Sequence, residues 1–392
     1  MSTPQAAAGA DRIWFAQALR AFACLLVVGT HCGHLFVLAP DTVSRLCLCP
    51  PLEGLPRPAY LRVFEFCDSW HFSVGDFGVA LLFLVSGFVI PFSLRRNTLA
   101  GFFVRRFFRL YPMLWLVQLL LLAVLAFNAR HYGLLFPFGK RVVAGNALLL
   151  SQYLGQPVLE AVTWTLLVEE LFYALCALCA WRGVLDRPAT VLLVALGAAA
   201  ASVALSFARL VVGMPRWHYA AYFLGLNASF VVFIFVGVAL HHLYRGAWRP
   251  RLGLPLVLAL LALFALCCRL GVLRHAGGEG WLWTGLAALA VFAGLLGLNR
   301  WLPYSRWVDR LAEVSYPLYL THATLGYVVI RAVYLRTGSL YLGFAAALAA
   351  ALALSALLHR FVETPAIDLG RRLAARLTPP ARQQPTQSRQ AA

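Results

Sequence analysis

Apolar runs long enough to cross a bilayer recur from residue 13 to residue 361 with few polar breaks between them. A hydrocarbon layer of roughly 30 Å is crossed by about 20 helical residues. The runs divide into ten predicted spans: 13–38, 73–94, 107–127, 161–181, 188–210, 218–243, 253–272, 281–299, 309–332 and 340–361. Hydrophobic residues make up 61% of the 392 positions and charged residues 12%, so the fold class is an all-α polytopic integral membrane protein. The stretch 142–155 (VVAGNALLLSQYLG) is apolar but short, and is expected to be a re-entrant or interfacial piece.

Arginine placement sets the expected orientation. The basic loops 95–106, 182–187, 244–252 and 300–308 all fall on the side of the N-terminus, which the positive-inside rule assigns to the cytoplasm. Both termini are therefore predicted cytoplasmic, with the first span a retained signal anchor. Residues 1–12 read as a cytoplasmic segment, 13–368 as one membrane-embedded domain and 369–392 as a basic, disordered cytoplasmic tail. Topology and contact with anionic membrane lipid account for the net charge of +18, so no nucleic-acid partner is expected. The nine cysteines are too scattered for a metal site, and none is expected. Cys176 and Cys179 read as core packing, whereas Cys47, Cys49 and Cys67 lie in an outer loop that is compatible with a disulfide of unspecified pairing.

An ionisable group at mid-bilayer costs about 2.5 to 3.5 kcal/mol on insertion scales, so each one asks for a partner or a purpose. The run LRAFACLLVVGTHCGH (19–34) carries Arg20 and His31. Eleven helical steps bring both side chains to one face, about 16 Å apart along the axis. One reading has Arg20 snorkelling to headgroups and His31 packed; the other has both lining a wet interior. In the fourth span, WTLLVEELFYAL (164–175), Glu169 and Glu170 lie at a depth similar to that of His31. One carboxylate could meet the imidazole, or form a structural ion pair.

Ser315, Tyr319 and His322 share a stripe in SYPLYLTHA (315–323), and Pro317 is expected to loosen that helix. In FLVSGFVI (83–90), Ser86 and Gly87 favour close helix approach. Arg105, Arg106 and Arg109 open the third span, where the last two are i, i+3 neighbours able to grip one anion.

Taken in order, these elements resemble the integral-membrane acyltransferase-3 family, from about residue 12 to 368. The family's arginine and histidine with ten residues between them correspond to Arg20 and His31. Its F-x-x-S-G-F corresponds to the segment with Ser86, and its R-x-x-R with a following proline to Arg106, Arg109 and Pro112. The tryptophan-to-tyrosine motif runs here from Trp164 through Glu169 to Tyr173, with Thr165 in place of serine. S-Y-x-x-Y-L-x-H is Ser315 to His322, and a late E-x-P is Glu363 and Pro365.

The resemblance implies an acyl-CoA donor, most often acetyl-CoA, and a hydroxylated acceptor such as a glycan, a lipid-linked sugar or a small molecule. It also implies a bacterial inner membrane, with His31 as catalytic histidine, Arg20 as its motif partner and Arg105, Arg106 and Arg109 on the donor side. On this reading His31 is a general base oriented by Glu169, and an acyl-His31 intermediate remains open. Tyr319, Ser315 and His322 are candidate oxyanion donors. A secondary transporter, with the in-span charges forming a substrate or proton path, is the alternative. Acceptor, acyl length and oligomeric state are left open.

Overall fold

Each long apolar run closes its backbone hydrogen bonds within itself, as hydrocarbon demands. The computed structural model describes residues 13–211 and 215–377. The spanning helices are α1 Trp14–Leu38, α2 Val74–Arg96, α3 Leu99–Tyr132 and α4 Trp164–Trp181. They continue with α5 Pro188–Val211, α6 Pro215–Tyr244, α7 Pro250–Arg269 and α8 Gly278–Gly297. α9 is a bent pair, Ser315–Thr321 (α9a) and Thr324–Thr337 (α9b), and α10 is Leu340–Arg376. Among the described residues nine helices are long and apolar enough to cross, and the bent pair brings the number to ten. Ten spans were expected.

Local chemistry marks the ends. Ser73 Oγ accepts from Asp76 N at 3.2 Å to start α2, Thr98 Oγ1 accepts from Gly101 N at 3.1 Å to start α3, and Ser339 Oγ accepts from Leu342 N at 3.3 Å to start α10. α3 stops at Gly133, whose φ of 63° suits glycine.

α6 is the central helix, with 89% of its most apolar window buried. Its run SFVVFIFVGVALHH is apolar almost all round, as a helix enclosed by others should be. α2 crosses it with backbones in contact. A Cβ on Gly87 would press on the Ile234 carbonyl and lie 3.0 Å from Gly237 Cα, and one on Gly237 would press on the Leu84 carbonyl. Small residues permit such an approach, and dispersion and close packing reward it where lipid offers no hydrophobic drive.

The 39–72 loop holds two short helices, Pro40–Cys47 and Leu61–Ser69. Residues 142–155, expected to be a re-entrant or interfacial piece, form the end of a short helix, Lys140–Ala147, and then turn. Several expectations are corrected. The third span begins well before residue 107, so its arginines sit inside a 34-residue helix. The tail expected to be disordered from residue 369 is helical to Arg376, because Gly370 and Ala374 pack against Phe108 and Gly101 of α3. An apolar count ends at 361, but an amphipathic helix needs only one apolar face. Residues 1–12 and 378–392, with the predictions made for them, lie outside the described residues. Cys47, Cys49 and Cys67 are free thiols, so the loop carries no disulfide.

Gly87→Ala is expected to destabilise the fold by about 1–3 kcal/mol through overpacking against α6, read as a lower melting temperature in detergent. Gly197→Ala, where nothing lies within 4 Å, should leave it unchanged or slightly raised.

Candidate functional site

α1 departs from α-helical winding at one place, a π-helical segment over Thr30–Leu35. Such widened turns recur at functional sites because they redirect side chains without breaking the helix. His31 lies in this segment. Its Nδ1 is 3.2 Å from the Tyr327 hydroxyl, the two rings are nearly parallel, and the His322 ring meets it edge-on at 4.9 Å.

Tyr327 and His322 reach His31 because α9 is broken. α9a and α9b meet at 61° across His322 and Ala323. Pro317 was expected to loosen this helix, but it sits in the first turn of α9a, where a missing N–H costs no helical bond. The break exposes backbone groups, and side chains satisfy them. His322 Nδ1 lies 2.9 Å from the Tyr319 carbonyl and 3.1 Å from that of Leu318. Carbonyls only accept, so Nδ1 carries the proton and Nε2 is left with a lone pair; Nε2 is buried without a protein partner. The Cys32 thiol donates to the His322 carbonyl at 3.3 Å, and the Cys24 thiol to the Ser315 carbonyl at 3.4 Å.

Glu160, just before α4, completes the joint. Its carboxylate accepts from Ala161 N at 2.9 Å and Thr324 N at 3.2 Å, tying the first turn of α9b to the entry of α4. Burial raises this carboxyl to about 7 despite those donors.

The second set of polar residues forms a separate cavity of about 100 Å³, lined among others by Arg20, Arg106, Arg109, Glu169, Ser86, Tyr173, Ser315 and Tyr319. Glu169 accepts hydrogen bonds from the Ser86 and Tyr173 hydroxyls, the latter at 2.7 Å. Arg106 stacks over Tyr173 and Phe102. Three guanidinium groups thus face one carboxylate, and the cavity is cationic.

His31 lines a different cavity, of about 220 Å³, with Thr30, His34, Ser73, Asp76, Trp164 and Tyr319. Tyr319 and Val79 border both cavities. Thr165 Oγ1 donates to the Val162 carbonyl at 3.0 Å and lies 2.9 Å from the Tyr319 hydroxyl. The Tyr319 proton is therefore given to Thr165.

The structure brings together most of the sequence-predicted residues but not the pair expected at the centre. Glu169 does not meet His31: the depth argument fixed height along each helix but not direction, and the arginines compensate a carboxylate better than a neutral imidazole does. Arg105 leaves the set, since it does not line the cavity that Arg106 and Arg109 share. Ser315 Oγ donates to the Ala312 carbonyl at 2.7 Å, which commits its proton. Glu363, in a π-helical turn of α10, accepts from His359 Nδ1 at 2.7 Å and lines neither cavity. Among the described residues no group of three or more His, Cys, Asp or Glu is arranged to hold a metal. Sequence reasoning missed Tyr327, Glu160 and Asp76. Tyr327 lies beyond the break in α9, and Glu160 and Asp76 stand at helix starts, where an acid is common in any sequence.

Residues 13–360 match a family described as acyltransferase domain. Acyltransferase MdmB of Streptomyces mycarofaciens is 32% identical over 156 residues, covering 34% of this chain and 39% of that protein, so the chain spans well under half of that relative's length. No solved structure matches significantly.

The Glu160 joint has a pH signature. An acid whose folded pKa, about 7, exceeds its ordinary value of 4.5 disfavours folding once ionised. Stability relative to Glu160→Gln is therefore expected to fall as pH rises from about 4.5 to about 7, and to level off above. Melting curves of the two proteins across that range check it.

Proposed function

The chain belongs to the acyltransferase family that its residues 13–360 match, and on that premise we propose how this membrane acyltransferase works. It takes an acyl group, acetyl by preference, from acyl-CoA entering at the basic, cytoplasmic end and delivers it to a hydroxyl of an acceptor in the cavity that holds His31. The observation that carries the reading is the meeting of two unlike cavities at Tyr319. One is cationic and suited to an anionic donor; the other presents an imidazole.

Arg20, Arg106 and Arg109 are the donor-side groups, since guanidinium forks match phosphate oxygens. Glu169, held by Ser86 and Tyr173, keeps these guanidiniums spaced and partly neutralised instead of orienting the histidine. Tyr327 orients the imidazole in its place. Its hydroxyl accepts the Nδ1 proton of His31, leaving Nε2 with the lone pair a base requires. Nε2 removes the acceptor's hydroxyl proton as the oxygen attacks the thioester carbonyl. The carbon–sulfur bond then breaks, and the imidazolium returns the proton to the leaving thiolate, giving an ester and free CoA.

His31→Ala is expected to lower transfer of labelled acetyl from acetyl-CoA to membrane acceptors by about 10²–10⁴-fold at unchanged protein level. Arg106→Ala and Arg109→Ala should instead act mainly on the KM for acetyl-CoA. Full activity of His31→Ala at normal abundance would contradict the base assignment.

A further inference from the structure

The two cavities differ in charge as well as position. The cavity around Glu169 holds three arginines. The cavity around His31 has no lysine or arginine in its lining, but it has Asp76, and Asp68 stands behind His34 with its carboxylate 3.2 Å from the His34 ring. Asp76 sits in the first turn of α2, where Ser73 Oγ accepts from its backbone N–H. That contact uses the Asp76 main chain; the Ser73 hydroxyl also hydrogen-bonds the Asp76 side chain, but no lysine or arginine meets this carboxylate among the described residues. The ionisable groups sharing this surface are Asp68, His34 and His31, none of them a fixed positive charge.

A carboxylate kept in a membrane-embedded cavity without a counter-charge is costly, and a bound cation relieves the cost. The helix N-terminus offsets part of it, but a second group also waits for a ligand. Thr30 lines the same cavity, the residue is only 8% exposed, and its Oγ1, beside Gly75, has no hydrogen-bond partner. Trp164 supplies an aromatic wall of the kind that receives cations and sugar faces. A cavity of about 220 Å³ has room for about seven waters at liquid density, or one small ring.

We infer that the acceptor carries a protonated amine, seated on Asp76 against Trp164, with its reacting hydroxyl turned toward His31. An amino sugar or a cyclic amino alcohol has this chemistry. The inference rests on reading the His31 cavity as the acceptor side. It also accounts for the separation of charge: phosphates of the donor are drawn to the arginines and repelled from Asp76, so the two substrates do not exchange seats. An amine held protonated by a carboxylate is not a nucleophile, so the group goes to oxygen.

The test uses the purified full-length protein in nanodiscs with labelled acetyl-CoA, at a pH where amines are protonated. Methyl glucosaminide and methyl glucoside serve as paired acceptors, and the ester product is identified by its lability to base. Wild type is expected to favour the amine probe in kcat/KM by roughly tenfold, the factor that about 1.4 kcal/mol of charge-assisted contact supplies. Asp76→Asn, which keeps the shape and the helix cap, should erase the preference, bringing kcat/KM for the amine probe down to that for the neutral probe measured with the same variant. Asp76→Glu, which keeps the charge, should retain it. Equal use of both probes by wild type, a preference that survives Asp76→Asn, or absence of both transfer to and thermal stabilisation by millimolar amine probe would overturn the inference. His31→Ala run in parallel separates the two levels. Transfer that depends on His31 but ignores the amine sinks only this proposal, whereas transfer indifferent to His31 sinks the reading beneath it.

Discussion

A backbone carbonyl freed inside a bilayer has no water to turn to, and the organisation of this protein follows from how one set of freed groups is satisfied. The break between α9a and α9b at His322 and Ala323 would be costly in lipid, where each unpaired group costs several kcal/mol. Here the repairs come from neighbouring helices and from α9 itself. Cys32 of α1 donates to the His322 carbonyl, the His322 ring bonds back to the Tyr319 carbonyl, and Glu160 receives the Thr324 N–H. The same repairs join α1, α4 and α9 into one unit. They leave His31, His322 and Tyr327 clustered where the chain bends.

The close crossing of α2 and α6 serves the opposite end of the same problem. By bringing backbones together at Gly87 and Gly237, it fixes α2 so that Ser86, the neighbour of Gly87, meets Glu169 of α4. The carboxylate in turn gives the guanidiniums of α1 and α3 a shared counter-charge. Burying several like charges near each other is tolerable only with such compensation and with an anion expected to arrive. The result is a molecule with a cationic cavity and an acid-bearing one, separated by Tyr319.

Much of this was legible in the sequence, for identifiable reasons. Hydropathy alone marks the spans, because length and apolarity are local properties, and the in-span residues Arg20, His31, Glu169, Arg106 and Arg109 announce themselves by their cost. What could not be read are features of direction. An ideal helix places Arg20 and His31 on one face but says nothing of a π-helical turn at Thr30–Leu35. Equal depth suggested a Glu169–His31 pair, whereas the structure gives Glu169 to Ser86 and Tyr173 and gives His31 to Tyr327. The role of Cys32 is not legible in the sequence, because its partner is a carbonyl freed by a break 290 residues away. The helix past residue 361 escaped notice because small residues, Gly370 and Ala374, make its contacts.

The central claim is that donor and acceptor occupy unlike cavities that meet at Tyr319, the acceptor side holding His31. A structure determined with a non-hydrolysable acyl-CoA analogue bound tests it most directly. The expected result has the nucleotide phosphates on Arg106 and Arg109 and the acyl carbon within reach of His31 Nε2, with the Asp76 side left open. Phosphates bound on the Asp76 side, or an acyl group that ends away from His31, would contradict it.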